Sequence, residues 1–208
     1  MHHFDLELEL SWHDVQVVLA IPVAKQLPAR QSMLHKALHP PVAFALAQLV
    51  RPRPGEWVLD PMVGKGGALI AAALSSGCGA AYVGLDAEHE QLAACAANLK
   101  HAGLDAVLLL HGDATVLPFA DSSVDVILTD LPFGKKHARP LGLYARAIAE
   151  MRRVLRMGTG RAALLTTSKA GVHAAVADDP GWEPVSRTEV CLGGLKVWLH
   201  LLRRTRVG

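Results

Sequence analysis

The sequence predicts an α/β domain with a mostly parallel sheet, an antiparallel last strand and helices on both faces. From Trp57 onward, short apolar runs alternate with segments of helical periodicity. The last two apolar runs are joined by Gly193-Gly194, a connection too short for a parallel crossover. The 208 residues are 51% hydrophobic and 19% charged, which excludes intrinsic disorder and provides enough apolar material for one core.

The first forty residues predict a hairpin and a connector. Residues 4–11 alternate apolar and acidic side chains, the pattern of a half-buried strand, and the apolar run 15–22 follows Asp14. Pro40-Pro41 suits the first turn of a helix that runs to Val50, before Pro52 and Pro54 end it. We therefore divide the chain into an N-terminal hairpin and linker, residues 1–30, and a main domain, residues 31–208.

Seven strands and four helices are predicted to alternate through the main domain after that first helix. The strands are 57–60, 81–86, 107–110, 124–129, 161–167, 185–191 and 195–202, and the helices are 68–76, 88–101, 143–155 and 169–177. No apolar run approaches the ~20 residues that a membrane span needs, and no secretory signal opens the sequence. Three widely spaced cysteines fit a reducing, intracellular compartment. The eleven histidines have no metal-ligand spacing, so no metal site is expected.

The net charge of +2 conceals an asymmetry along the chain. Residues 1–134 carry seven basic and fourteen acidic side chains, whereas residues 135–208 carry fourteen basic and five acidic ones. A basic C-terminal third is typical of an anionic partner such as nucleic acid, although solvated arginines on helix faces would give the same balance.

A glycine-rich turn follows the first strand of the main domain, at the edge where ligands bind in doubly wound sheets. The next two strands end in acids, Asp86 and Asp113, which predict contacts to ribose hydroxyls and to an adenine amino group. Asp60 before the glycines would repel a pyrophosphate, so a positively charged nucleoside fits better than a dinucleotide. Alternatively, these acids only cap helices. The candidate ligand-binding residues are Asp60, Pro61, Met62, Gly64, Gly66, Asp86, Asp113 and Ala114.

The stretch that ends the strand before residue 130 predicts a site for a planar amine. Asp130 would accept an N–H from an exocyclic base amine, and a backbone carbonyl would accept the other. Pro132 adds rigidity without a competing donor, and Phe133 offers a stacking face for a base. Lys135 and Lys136 stand beside this site and would meet a phosphate. An ordinary turn followed by two solvated lysines is the alternative.

These motifs resemble the methyltransferase domain of the THUMP-domain RNA guanine-N2 methyltransferases, from about residue 4 to residue 204. Two stretches are the most specific: Asp60-Pro-Met-Val-Gly64-Lys-Gly66-Gly67 and Ser123-Val-Asp-Val-Ile-Leu-Thr-Asp-Leu-Pro-Phe-Gly-Lys-Lys136. Supporting stretches are Glu150-Met-Arg-Arg-Val154, Thr159-Gly-Arg-Ala162 and Gly193-Gly-Leu195.

The resemblance implies a Rossmann-like class I methyltransferase fold with seven strands and S-adenosyl-L-methionine as cofactor. It implies N2-methylation of a guanosine in tRNA or small nuclear RNA. It also implies a small zinc-binding activator protein as partner, docked on an exposed apolar edge of the sheet, and an RNA-binding THUMP domain beyond these 208 residues. By match, Asp60, Gly64, Gly66, Asp86 and Asp113 bind the cofactor, while Asp130, Pro132 and Phe133 hold the guanine.

Three departures from the family pattern keep other interpretations open. The THUMP domain is absent from these 208 residues, which leaves a fragment, a short isoform and a stand-alone relative as alternatives. The family has Cys-Gly-Thr-Gly after Asp-Pro-Met, whereas Val63 and Lys65 stand here, and Pro40-Pro41 offers no hydroxyl to a cofactor. A non-catalytic methyltransferase-like binding module is therefore one alternative, which failure to bind S-adenosylhomocysteine would favour. A DNA or protein amino-group methyltransferase is another, distinguished by which macromolecule takes up the methyl group.

Overall fold

A computed structural model describes residues 9–13, 16–20, 33–76, 79–131, 142–192 and 194–207. The strands in these segments are β1 (Glu9–His13), β2 (Gln16–Ala20), β3 (Trp57–Asp60), β4 (Ala81–Asp86), β5 (Leu108–His111), β6 (Val126–Asp130), β7 (Arg161–Thr166), β8 (Trp182–Leu192) and β9 (Leu195–Arg204). The helices are α1 (Pro40–Val50), α2 (Gly67–Ser75), α3 (His89–His101), α4 (Leu143–Val154) and α5 (Lys169–Val176). Each predicted element is present, with its ends displaced by a few residues at most.

Seven strands form one sheet in the order β5-β4-β3-β6-β7-β9-β8. The pairs within β5-β4-β3-β6-β7 are parallel, and β9 runs antiparallel to both β7 and β8. The seven-stranded, mostly parallel sheet with an antiparallel last strand is thus confirmed. Because β3 and β6 are central, the carboxyl ends of β4, β3 and β6 lie side by side at one edge.

Helices cover both faces of this sheet, as predicted. On one face, α1, α2 and α3 pack their apolar side chains with Val58 and Leu128. On the other, α4 and α5 pack with Leu59 and Ile127. Neighbours along each strand belong to opposite layers, as the two-residue period of a strand requires. All four strand side chains are 1% exposed or less.

The N-terminal hairpin is confirmed, but its first strand is displaced from the prediction. β1 pairs with β2 in antiparallel register, with His13 opposite Gln16. It continues two residues past the predicted end at Ser11, and residues 4–8 lie outside the described segments. Trp12 continues the apolar alternation of Leu6, Leu8 and Leu10, and an aromatic residue suits a strand, so the predicted end at Ser11 came too early.

The last two strands also extend beyond their predicted ends. β8 begins at Trp182 and β9 continues to Arg204, and these two residues pair with each other. Arg203 pairs on its other side with Arg161 of β7. The charged residues Glu183, Arg203 and Arg204, which the apolar pattern assigned to loops, therefore belong to β8 and β9 through main-chain hydrogen bonds.

One buried amide fixes the segment before α1. Asn98 of α3 is fully buried, and its Nδ2 donates to the carbonyls of His35 (3.1 Å) and Lys65 (2.8 Å). Its Oδ1 accepts the His35 N–H at 2.8 Å. Asn98 thereby joins the segment before α1 to the glycine-rich turn after β3. In the described segments, no helix combines the length and hydropathy of a membrane span.

Candidate functional site

A cleft of about 230 Å³ opens at the carboxyl edge of the parallel strands, where the sequence predicted a ligand site. Among the described residues, five carboxylates line it, and they come from the ends of four neighbouring strands and the turns that follow. These are Asp60, Asp86, Glu88, Asp113 and Asp130. Lys65 is the single cation that lines the cleft within the described segments. The cleft is therefore strongly acidic and suits a ligand that carries positive charge.

The glycine-rich turn approaches the cleft with bare backbone. Gly64 has a φ of +51°, in the left-handed region that favours glycine, and its N–H donates to Asp86 Oδ2 at 2.8 Å. A Cβ built at Gly64 would have no atom within 4 Å, so the backbone faces open space there. Gly66 has a φ of +87°, but a Cβ there would lie 2.7 Å from Cys95 Sγ. Gly66 thus allows the turn to pack against α3, and it does not itself line the cleft.

Asp86 and Asp113 present carboxylates that backbone groups hold in place. Asp86 Oδ1 accepts the Glu88 N–H at 2.9 Å, and Asp113 Oδ1 accepts the Thr115 N–H at 2.8 Å. These contacts stabilise turns, and the helices that follow β3 and β4 have no side-chain cap hydrogen bond, so the helix-capping alternative is wrong for them. The Asp86 carboxylate, which also accepts the Gly64 N–H, keeps lone pairs for hydroxyl or amine donors in the cleft, since an ionised carboxylate accepts about four hydrogen bonds.

Two residues of α4 hold the turn that carries Asp113 and Ala114. Glu150 Oε2 accepts the Leu117 N–H at 2.7 Å, and Arg153 donates to the Leu117 carbonyl at 2.9 Å and to the Phe119 carbonyl at 2.8 Å. The hydrogen bond from Arg153 lowers the pKa of Glu150. Sequence reasoning missed this role, because both residues stood out only as part of a stretch that resembles the family. The structure shows that they position one wall of the cleft.

Asp60 and Asp130 form a coupled pair at the centre of the site. They end the adjacent strands β3 and β6. Burial raises the pKa of Asp60 to about 7, and burial together with the charge of Asp60 raises the pKa of Asp130 to about 8. The Met62 N–H donates to Asp60 Oδ1 at 3.2 Å, whereas Asp130 Oδ1 has no hydrogen-bond partner among the described residues. Two carboxylates held in a poorly solvated position suit a cation or an N–H donor.

The structure brings most of the predicted site residues into this one cleft. Those that line it are Asp60, Pro61, Met62, Gly64, Asp86, Asp113, Ala114 and Asp130. Pro132, Phe133, Lys135 and Lys136 lie outside the described segments. The bare backbone at Gly64, the held carboxylate of Asp86 and the unpartnered Asp130 oxygen fit a nucleoside with a positively charged centre.

This sheet order and the acidic cleft at its carboxyl edge define a Rossmann-like class I methyltransferase fold. The model of the family described as RMKL-like, methyltransferase domain matches residues 28–197, and the chain belongs to that family. A solved structure, TrmN from Thermus thermophilus, superposes with a TM-score of 0.76 at 27% identity, covering 96% of this chain and 60% of that one.

Two curated relatives show the extent of the similarity. The chain is 32% identical to the tRNA (guanine(6)-N(2))-methyltransferase THUMP3 of Mus musculus, over 99% of this chain and 44% of that protein. It is 39% identical to the U6 snRNA (guanine-N(2))-methyltransferase THUMPD2 of Homo sapiens, over 74% of this chain and 30% of that protein. The chain thus spans less than half the length of these relatives.

Proposed function

We propose that this chain is the catalytic domain of an RNA methyltransferase that transfers a methyl group from S-adenosyl-L-methionine to the exocyclic N2 amine of a guanosine. The observation that carries the proposal is Asp130, a raised-pKa carboxylate in the wall of an acidic cleft, with an oxygen that no described residue satisfies. The named activities of THUMP3 and THUMPD2 support tRNA or small nuclear RNA as the substrate.

The acidic side chains of the cleft bind and orient the cofactor. Asp86 binds the ribose hydroxyls, Asp113 with Ala114 accepts the adenine, and Gly64 lets the backbone come close. Gly66, Pro61 and Met62 shape the turn, and Asp60 contributes negative charge. S-adenosyl-L-methionine supplies an electrophilic methyl group on a positively charged sulfur.

The guanine is held by Asp130, with Pro132 and Phe133 beside it. A base amine is a weak nucleophile because its lone pair is delocalised into the ring. Asp130 accepts one N–H of the amine and fixes the nitrogen in line for transfer, which is the main catalytic contribution of positioning. As positive charge develops on nitrogen, the Asp130 carboxylate stabilises it and takes up the proton.

The proposed partners rest on the resemblance to the THUMP-domain RNA guanine-N2 methyltransferases. Lys135 and Lys136 contact RNA phosphates, and productive RNA binding needs a THUMP domain in addition to these 208 residues. A small zinc-binding activator protein pairs with β5, the strand at one margin of the sheet, where Leu108 is 52% exposed. Residues 1–30 act as a hairpin and linker ahead of the methyltransferase domain at 31–208. The protein acts in the cytoplasm or the nucleus.

The experiment incubates the chain with labelled S-adenosyl-L-methionine and either tRNA or a U6 transcript, with and without the zinc-binding activator. We expect N2-methylguanosine in digested RNA by mass spectrometry. Label on DNA or protein instead would establish a different amino-group methyltransferase. Failure to bind S-adenosylhomocysteine in calorimetry would establish a non-catalytic module.

Two glycine variants separate ligand contact from packing. Gly64→Asn tolerates positive φ and projects into open space, so we expect unfolding free energy to change by less than ~1 kcal/mol while S-adenosylhomocysteine affinity falls at least tenfold. Gly66→Val meets Cys95, and we expect a loss of about 2 kcal/mol or more in urea unfolding. Undiminished affinity in Gly64→Asn would show that the ligand does not approach this backbone.

A further inference from the structure

We propose that the ammonium group of Lys65 binds the α-carboxylate of the amino-acid tail of S-adenosyl-L-methionine. The inference rests on the proposed function and deepens it, because it assigns a recognition role to the residue at which this chain departs from its family. Lys65 then selects ligands that carry the tail, whereas the acids of the cleft select the nucleoside.

The charge balance of the cleft requires such a cation. Five carboxylates and one ammonium group line it within the described segments, and Lys65 has no ion pair with any described residue. The ligand's sulfonium and α-ammonium groups suit the acids, but its carboxylate is repelled by every acid that is ionised. Among the described side chains that line the cleft, Lys65 alone can offset that repulsion with a positive charge.

The order of the strands places Lys65 at the correct end of the cleft. Asp113 follows β5 and Asp86 ends β4, so the adenine and ribose lie on that side of β3. Lys65 belongs to the turn after β3, beside the segment of Ala37 and Leu38, which lines the same cleft. A nucleoside seated at Asp86 and Asp113 thus extends its tail toward Lys65 and Leu38.

The backbone beneath Lys65 is fixed on both sides. Asn98 donates to the Lys65 carbonyl at 2.8 Å, and a Cβ at Gly67 would lie 2.9 Å from the Leu38 backbone nitrogen. The position of the Lys65 ammonium group therefore depends on the rotamers of its flexible side chain. A compact ammonium on a flexible stem suits a terminal carboxylate without the fixed geometry that an arginine would impose.

Calorimetry with two ligands tests this assignment. S-adenosylhomocysteine carries the amino-acid tail, and 5′-deoxy-5′-methylthioadenosine lacks it. We expect Lys65→Met to weaken S-adenosylhomocysteine binding at least tenfold, which corresponds to about 1.4 kcal/mol, and to change methylthioadenosine binding less than twofold. Lys65→Arg should keep most of the affinity. Lys100→Met, at the exposed end of α3, is the matched control and should change neither ligand.

The outcomes separate this inference from the proposed function. Equal weakening of both ligands would show that Lys65 supports the turn, and no weakening of either would show that the carboxylate lies elsewhere; both results overturn the assignment. Failure of the unsubstituted chain to bind S-adenosylhomocysteine would overturn the proposed function together with it. A folding defect would weaken both ligands, so methylthioadenosine affinity, measured beside the melting temperature of Lys65→Met, distinguishes such a defect from the expected result.

Discussion

Asp130→Asn should slow methyl transfer at least a hundredfold while S-adenosylhomocysteine binding stays within about threefold of the unsubstituted chain. The amide has the same shape but carries no charge to stabilise the developing positive charge on the guanine nitrogen. Removing one such electrostatic contact typically costs at least a hundredfold in rate. Single-turnover transfer to RNA, with the cofactor in excess, measures the chemical step directly.

The same substitution should stabilise the unliganded chain in alkaline buffer. Burial raises the pKa of Asp130 to about 8, so the folded chain binds more protons than the unfolded chain between about pH 4 and pH 8, and unfolding free energy falls as pH rises. Asparagine carries no charge and removes this cost. We expect a gain on the order of 2 kcal/mol in urea unfolding at pH 8.5 and little gain at pH 5.

Asp105→Asn provides the matched control, because Asp105 is an exposed carboxylate away from the cleft. It should change neither transfer nor stability. Simultaneous loss of transfer and of S-adenosylhomocysteine binding in Asp130→Asn would mean that Asp130 belongs to the cofactor site. Gain of stability with retained transfer would remove Asp130 from the chemistry.

Affinity for S-adenosyl-L-methionine should rise at least tenfold between pH 6 and pH 8 and level off above about pH 8. Asp60 and Asp130, with pKa values of about 7 and 8, retain protons at neutral pH in the free cleft. A positively charged sulfur in the same cleft favours the ionised form of both carboxylates, so binding releases protons and strengthens as pH rises. S-adenosylhomocysteine has an uncharged sulfur at the same position and should show a much weaker dependence.

Titration calorimetry in two buffers with different ionisation enthalpies counts the protons released. At pH 7 we expect a larger release with S-adenosyl-L-methionine than with S-adenosylhomocysteine, and a smaller difference in Asp130→Asn. A constant affinity ratio of the two ligands from pH 6 to pH 8 would show that the charges of Asp60 and Asp130 do not act on the sulfur.

Local periodicity is sufficient to predict the elements of this fold because both sheet faces are buried. Strands β3, β4, β6 and β7 are then apolar through most of their length, and a helix such as α4 carries one buried apolar stripe. Asp60, Asp86, Asp113 and Asp130 were predictable as a group, since the parallel direction of their strands brings every strand end to one edge. Their position at one edge of the sheet follows from strand direction alone, without knowledge of any side-chain contact.

Long-range polar contacts were not predictable in this way. Asn98 reaches His35, 63 residues earlier in the chain, and within its own helix it looks like any polar residue. Arg161 donates to both Glu56 carboxylate oxygens at 2.9 and 2.8 Å, across 105 residues, and neither residue shows a local pattern. The pKa values of Asp60 and Asp130 likewise depend on burial and mutual distance, which exist only once the strands are paired.

The β5 margin has a practical consequence for the purified chain. Its pairing in the described sheet is with β4 alone, so its outer main-chain N–H and C=O groups form a short row beside the exposed Leu108. Such a row is a template for any extended polypeptide, including another molecule of the same kind. Solubility and apparent molecular mass should therefore depend on concentration until a second polypeptide covers that row.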